Sequence, residues 1–181
     1  SFGIICFLIS FTSLAQVVST SPVFPTISDA ITITFDATEG NGGLAGFAGT
    51  VYAHTGVITN LSTSSSDWKY TQGTWGTANA PVITSIGNDK YTLDIADIKT
   101  YYGVPAGETV EQISILFRNE AGDKSGRNKD GSDIFIQIYT SGLFASFTKP
   151  EPNTIYDIGE TVELVSESSA IGGHVISLND S

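Results

Sequence analysis

The chain has 181 residues and a formal net charge of −11 at pH 7, with only eight Lys and Arg residues. No basic cluster is present that could neutralise phosphates, which argues against nucleic acid and equally against anionic membrane surfaces as partners. A neutral or cationic partner fits this charge better. Serine, threonine and glycine are abundant and methionine is absent, a composition typical of an exported β protein.

The first 15 residues have the pattern of a secretory signal. An uncharged apolar run from Phe2 to Phe11 precedes Ser13-Leu14-Ala15, which places small residues at both ends of an A-x-A-like cleavage site. The run is shorter than the ~20 apolar residues of a transmembrane helix. Because neither an initiator Met nor a basic segment precedes it, we expect the chain to begin inside a longer precursor. We expect a protein that is secreted or held at the cell surface, without membrane insertion after cleavage.

Cys6, the only cysteine, lies in this segment. Cleavage near Ala15 would leave an exported chain without disulfides, so its stability must come from core burial, helped by any bound ion. The remaining length permits one domain of roughly 120 residues and part of a second, since domains commonly have about 100 to 150 residues.

Short alternating segments follow, and no long segment has helical periodicity. The sequence ITITF at residues 31–35 alternates strictly, which predicts a half-buried strand. Residues 51–55 predict the next strand, in which Val51 and Ala53 face one way and Tyr52 and His54 the other.

The middle of the chain contains a hairpin signal and the two best strands. Residues 82–86 and 91–95 flank the sequence GNDK, which predicts a hairpin turn. Residues 98–102 predict one helical turn. Residues 110–117 and 134–139 each place alternate apolar side chains on one face, as strands do. Strands of this length and spacing predict an all-β protein, an antiparallel β-sandwich of immunoglobulin-like architecture.

A domain boundary is expected near Ser141-Gly142. Beyond it, residues 143–147 and 159–165 predict two further strands, but about 40 residues cannot close a sandwich. The expected organisation is a signal peptide at 1–15, a β-sandwich at 16–142 and a partial immunoglobulin-like domain at 143–181 whose remainder lies beyond the end of the chain.

Residues suited to catalysis are few. His54 and His174 fall in different expected domains, no thiol remains after cleavage, and HExxH, GxSxG and P-loop motifs are absent. Asp94 and Asp97 could in principle serve as an acid and base, but nothing in their spacing selects them from the nineteen acidic residues. We therefore expect no catalytic residue in this chain.

Aromatic residues indicate a binding surface instead. Trp68 and Tyr70, and then Trp75 in the sequence QGTWG, follow the strand that carries Tyr52 and His54. Flat rings stack on the apolar C–H faces of sugars while neighbouring polar side chains bind the hydroxyls, so rings on a rigid β surface can form a carbohydrate platform. The alternative is that the tryptophans pack in a core and that His54 is an ordinary cross-strand residue.

The polar stretch FRNEAGDKSGRNKDGSDIF at residues 117–135 could hold a cation. It lacks the EF-hand pattern, because the sixth residue counted from Asp123 is Asn128 and not glycine. A looser structural Ca²⁺ site using Asp130, Asp133 and a carbonyl is one possibility, and a plain solvated hairpin loop is the other. No other cofactor is expected.

Four segments together resemble a known family: VYAHTGV at 51–57, WKYTQGTWG at 68–76, YTLDI at 91–95, and FRN followed by DGSDIFIQIY within 117–139. They resemble the N-terminal module of secreted α-amylase-type glycoside hydrolases from the Bacteroidetes, which is similar to starch-binding carbohydrate-binding modules. The resemblance covers about residues 18–139. The following segment, FASFTKPEPNTIYDIGETVELV, is similar to the short immunoglobulin-like linker domain that such enzymes place before their catalytic barrel.

The resemblance implies a noncatalytic module that binds starch or another α-glucan and is covalently attached to a downstream catalytic domain. It further implies that the ligand stacks on Tyr52 and His54, at i and i+2 of one strand, and on Trp75 from a neighbouring loop. His54 departs from the family pattern, in which a tyrosine is expected, but a histidine can hydrogen-bond a sugar hydroxyl. Trp68 and Lys69 are further candidates, the lysine as a hydroxyl donor. The alternative function is a structural or adhesive immunoglobulin-like spacer whose aromatics are buried or contact a protein.

Overall fold

A computed structural model describes residues 16–140, 145–149, 159 and 161–168. The expected signal peptide and most of the expected second domain lie outside these residues. In chain order the elements are β1 (Val18–Ser21), β2 (Ile31–Asp36), β3 (Tyr52–Thr59), β4 (Lys69–Gln72), β5 (Thr84–Gly87), β6 (Lys90–Ile95), α1 (Ile98–Tyr102), β7 (Val110–Arg118), β8 (Ser125–Gly126), β9 (Ile134–Gln137), β10 (Ala145–Lys149) and β11 (Val165–Ser168).

Two antiparallel sheets form the main body. The first has the strand order β1-β2-β6-β5, and the second has the order β4-β3-β7, with β8 and β9 both paired to the remaining edge of β7. Strands β10 and β11 form a separate antiparallel pair. The prediction of an all-β protein built from antiparallel sheets is confirmed. The finer, immunoglobulin-like connectivity stays a prediction.

Strand alternation places one apolar face of each sheet in a shared core. The rings of Phe35 in the first sheet and Phe117 in the second stack with centroids 4.0 Å apart, so the two sheets pack face to face as a sandwich. Each fully buried side chain of this size contributes roughly 1.5–3 kcal/mol. The strand residues of the core include Ile31, Ile33, Phe35, Ala53, Val57, Leu93, Ile95, Ile113, Ile115, Phe117, Ile134 and Ile136.

The predicted hairpin at residues 87–90 is confirmed. Gly87 pairs with Lys90 across a two-residue turn, and Asn88 and Asp89 have φ angles of 53° and 57°. Both central residues of a type I′ turn need this left-handed conformation, which Asn and Asp tolerate better than most residues.

The predicted helical turn is α1, the only helix in the described part of the chain. Its N-cap Asp97 accepts a hydrogen bond from the Thr100 N–H at 2.7 Å, and it ends at Gly103, whose φ of 73° permits the left-handed cap. No helix among the described residues is long and apolar enough to cross a membrane.

The hairpin predicted between residues 117 and 134 has an interrupted return strand. Gly126 in β8 pairs with Phe117, and Ile134 in β9 pairs with Ile115. Eight positions of the return strand therefore span only two positions of β7, so six extra residues loop out between β8 and β9. The loop carries Asp130 and Asp133, the two acids that suggested a cation site.

Candidate functional site

The outer face of the second sheet carries the residues singled out in β3. Ala53 and Thr55 point into the core and are fully buried, whereas Tyr52 and His54 point to the opposite face. His54 pairs with Leu116 of β7 in the antiparallel ladder. The alternation predicted for this strand is thus found.

Four rings lie side by side over this outer face, and we call Phe135, Trp68, His54 and Trp75 the aromatic row. His54 is central: its ring stacks on Trp68 with centroids 5.8 Å apart and meets Trp75 edge to face at 5.2 Å. Trp68 also meets Phe135 of β9 edge to face at 6.4 Å. The fold therefore brings together three of the predicted site residues, His54, Trp68 and Trp75, and adds Phe135, which the sequence did not single out.

The rings differ in exposure, and this decides which of them a ligand can reach. Trp75 is 44% exposed, while Trp68, His54 and Phe135 are half-buried. Ser114 and Leu116 point outward from β7 yet are buried, so the row also packs onto the sheet. Trp75 therefore offers the most open stacking surface, and Trp68 combines packing with partial exposure.

Tyr52 is placed differently from what the resemblance implies. It points outward but is only 6% exposed. The guanidinium of Arg118, its partner in the β3–β7 ladder, lies over the Tyr52 ring at 5.4 Å from the centroid. The Tyr52 ring is thus covered by the protein itself and is not available to a ligand in this arrangement.

A compact loop before β4 positions Trp68. The indole Nε1–H donates to the Ser65 carbonyl at 3.0 Å, and the Asp67 carboxylate accepts from the Thr63 N–H at 2.9 Å. Lys69 lies beside this loop and forms an ion pair with Asp67 at 2.9 Å. One of its three ammonium protons is used in this pair, so Lys69 keeps donors for a ligand hydroxyl.

Trp75 is held by the segment that follows β4 and by the loop that follows β7. Its indole lies against the backbone of Gly122, where an added Cβ would be only 2.6 Å from the indole Nε1. The Arg118 guanidinium lies 5.5 Å from the Trp75 ring centroid. Arg118 is fully buried, and like Phe135 it was not singled out from the sequence. Only its position opposite Tyr52 in the β3–β7 ladder would have indicated its role, and that position is known only once the pairing of the two strands is known.

His54 is electrically neutral at pH 7. Burial and the positive charge of Arg118 lower its pKa from the ordinary value of 6.5, Asp133 acts in the opposite direction, and Arg127 lowers the pKa further. A neutral imidazole offers one donor and one acceptor. Its Nδ1 has no hydrogen-bond partner among the described residues.

An open groove lies next to the segment that carries Trp75. It has a volume of about 490 Å³ and lies between Phe47–Thr50 and Asn119–Ala121. Gly76, the residue after Trp75, lines it as well. The groove thus borders the Trp75 segment through Gly76, and none of the four rings of the aromatic row lines it.

The two acids proposed for calcium make separate contacts within the looped-out segment. Asp130 accepts hydrogen bonds from the N–H and hydroxyl of Ser132 at 2.9 and 2.6 Å, and these bonds lower the pKa of its carboxyl. Asp133 forms an ion pair with Arg127. No group of three His, Cys, Asp or Glu side chains that could hold a metal occurs in residues 16–140 or the shorter described segments. Calcium binding stays a prediction, which a Ca²⁺-dependent rise in Tm that Asp133→Ala abolishes would support.

The two acids considered for catalysis have structural contacts. Asp94 accepts a hydrogen bond from the Thr32 hydroxyl at 2.6 Å across the β2–β6 ladder. Asp97 is the N-cap of α1.

Comparison of the chain with protein-family models gives no match, and comparison with curated proteins gives none.

Proposed function

We propose that this protein is a noncatalytic carbohydrate-binding module that binds starch or another α-glucan. In this proposal it is exported, is covalently attached to a polysaccharide-degrading enzyme, and raises the local concentration of that enzyme at its polymer. The observation that carries the proposal is the aromatic row on a rigid sheet face, with Trp75 exposed at its end.

The chemistry of the row suits a neutral sugar. The exposed indole of Trp75 can stack on the apolar face of a glucose ring. Neutral His54, within the row, can hydrogen-bond a hydroxyl, and Lys69, which follows Trp68 in the chain and pairs with Asp67, keeps ammonium donors for another. The groove next to the Trp75 segment leaves room for another glucose unit of the same glucan.

Affinity electrophoresis in gels that contain soluble starch tests the proposal. The protein should be retarded, and Trp75→Ala should weaken binding by about tenfold or more, because a stacked ring contributes on the order of 1.4 kcal/mol. Ile86→Ala is the matched control, since Ile86 is 55% exposed but lies in β5 of the other sheet. Equal mobility with and without starch, or equal retardation of wild type and Trp75→Ala, would contradict the proposal.

A second candidate function is a structural or adhesive spacer of a secreted or cell-surface protein. The burial of Tyr52 under Arg118 favours it, because one ring of the expected stacking pair is covered. In that case Trp75 contributes to a protein contact and starch has no effect on mobility. The same gel therefore separates the two functions.

A further inference from the structure

Arg118 is a fully buried cation without an anionic partner. It is 0% exposed, and none of the ion pairs among the described residues includes it. Burying an arginine is unfavourable unless its charge and its donors are satisfied. Something other than a carboxylate must therefore stabilise it here.

Four backbone carbonyls from two separate loops accept hydrogen bonds from the two Nη atoms, while Nε has no hydrogen-bond partner among the described residues. Nη1 donates to the carbonyls of Asn119 and Glu120 at 2.9 and 2.8 Å. Nη2 donates to the carbonyls of Thr74 and Thr77, both at 2.9 Å. One planar group thus joins the segment after β4 to the loop after β7. A lysine cannot do this, because its three donors radiate from a single atom.

The same guanidinium lies between two aromatic rings. Its Cζ is 5.4 Å from the centroid of Tyr52 and 5.5 Å from that of Trp75, distances at which a cation attracts the face of a ring. Trp75 also borders Gly122, whose N–H donates to the side-chain oxygen of Asn119 at 3.0 Å. The position of the indole is therefore set by Arg118 and by the two loops that Arg118 joins.

We propose that Arg118 is the positioning residue of the binding site: it holds the Trp75 indole in its half-exposed position and acts on a ligand only through Trp75. Full burial keeps Arg118 itself away from any ligand. The consequence for affinity rests on the proposed function, whereas the effect on Trp75 does not, so the two can fail separately.

Fluorescence tests the effect on Trp75 directly. The chain has two tryptophans, so Trp68→Phe leaves Trp75 as the only reporter. In this background Arg118→Lys should raise the acrylamide quenching of Trp75 and shift its emission to longer wavelength, with an unchanged far-UV spectrum. Arg127→Lys is the matched control and should leave both signals as they are, because Arg127 contacts Asp133 and not the tryptophan loops.

Affinity is measured in the chain that retains both tryptophans. Arg118→Lys should weaken binding of a maltooligosaccharide about tenfold, and Arg127→Lys should not. If wild type binds no glucan while Arg118→Lys still raises the acrylamide quenching of Trp75, the proposed function fails and the positioning role stands. If Arg118→Lys and Arg127→Lys give the same Trp75 quenching, the positioning role is wrong.

A measurement on the unaltered protein covers the case in which Arg118→Lys does not fold. NMR relaxation of the Trp75 indole N–H should give an order parameter near the ~0.85 of a rigid group. A value below about 0.6 would mean that the indole moves freely and would overturn the proposal.

Discussion

The ring of Phe35 lies directly against the backbone of Gly126, where an added Cβ would be 2.3 Å from the Phe35 Cζ. The short strand β8 can approach the core this closely only because Gly126 has no side chain. The same ring stacks on Phe117, the ladder partner of Gly126. One glycine thus allows β8 to pair with β7 over a tightly packed pair of rings.

Gly126→Ala should therefore lower the free energy of unfolding by about 1–3 kcal/mol, the usual cost of overpacking a core. Urea denaturation measures it. Gly107→Ala is the control, because Gly107 has open space around its Cα and no left-handed backbone, and it should be neutral or slightly stabilising. Equal unfolding midpoints for the two variants would show that the ring can move aside without cost.

A buried hydrogen-bond chain joins α1 to the second sheet. Thr55 donates its only hydroxyl proton to the Ser114 carbonyl at 2.8 Å, so the Tyr102 hydroxyl is the donor in their 2.7 Å contact. Tyr102→Phe should lower the free energy of unfolding by about 0.5–1.5 kcal/mol. Thr55→Val should lower it by about 1–3 kcal/mol, because it leaves the buried tyrosine hydroxyl unpaired.

A double-mutant cycle in urea measures the coupling between the two. The double variant should cost less than the sum of the single changes by at least about 0.5 kcal/mol. Thr84→Val, an exposed threonine in β5, should change stability by no more than about 0.5 kcal/mol. Additive costs in the cycle would contradict the hydrogen-bond chain.

Asp36 should make stability depend on acidic pH. Burial raises the pKa of its carboxyl, but hydrogen bonds from Lys90 and Thr38 and the charge of Lys90 outweigh it, so the pKa lies below the ordinary 3.8. A lowered folded-state pKa adds stability that is complete above the unfolded value and is lost as pH falls through the folded value. Asp36→Asn should lower the free energy of unfolding by roughly 1 kcal/mol at pH 7. The difference from wild type should vanish once the pH is below the folded-state pKa of Asp36. Glu111→Gln, an exposed acid in β7, serves as the control in thermal melts across this range.

His54 should make stability depend on pH in a second, higher range. Burial and the charge of Arg118 lower the pKa of His54 in the folded protein. As pH falls below the ordinary value of 6.5, His54 is therefore protonated in the unfolded chain before it is protonated in the folded protein. Stability is therefore complete above that value and decreases as pH falls from there towards the folded-state pKa. Urea midpoints at several pH values should show this loss in wild type and not in His54→Gln. NMR titration should place the His54 pKa below the ordinary value, with His174→Gln assigning the two histidine signals; an ordinary His54 pKa would contradict the buried position.

Local patterns in the sequence were sufficient for the central strands and for the turn between β5 and β6. They did not predict β1, β4 or β8, and the strand predicted at residues 159–165 is found only from Val165 onward, as β11. Alternation in residues 31–35 and 110–117 gave the correct core faces, and GNDK gave the correct turn, because both signals depend on neighbours along the chain. The same alternation correctly divided β3 into core residues and the outward pair Tyr52 and His54.

The environment of the candidate site could not be predicted in the same way. Whether Tyr52 is open or covered depends on Arg118, which comes from a strand far along the chain. As a charged residue at a strand end, Arg118 would be expected in solvent, and only the two loops that close over it make it buried. The contact between Trp68 and Phe135 likewise joins distant segments. Periodicity predicts which face a side chain takes, but what covers that face depends on contacts between segments far apart in the sequence.

The looped-out segment between β8 and β9 gives the fold a place where sequence and length can vary. Both flanking strands are held on β7, and the segment closes on itself through bonds such as the Asn128 N–H to the Ser132 carbonyl at 3.1 Å. Doubling the length of a flexible loop costs only about 0.6 kcal/mol. Insertions here would therefore leave the register of the sheet intact. Because Asp133 acts electrostatically on His54, related proteins could diversify this segment and so change what borders the aromatic row, without rebuilding the sandwich.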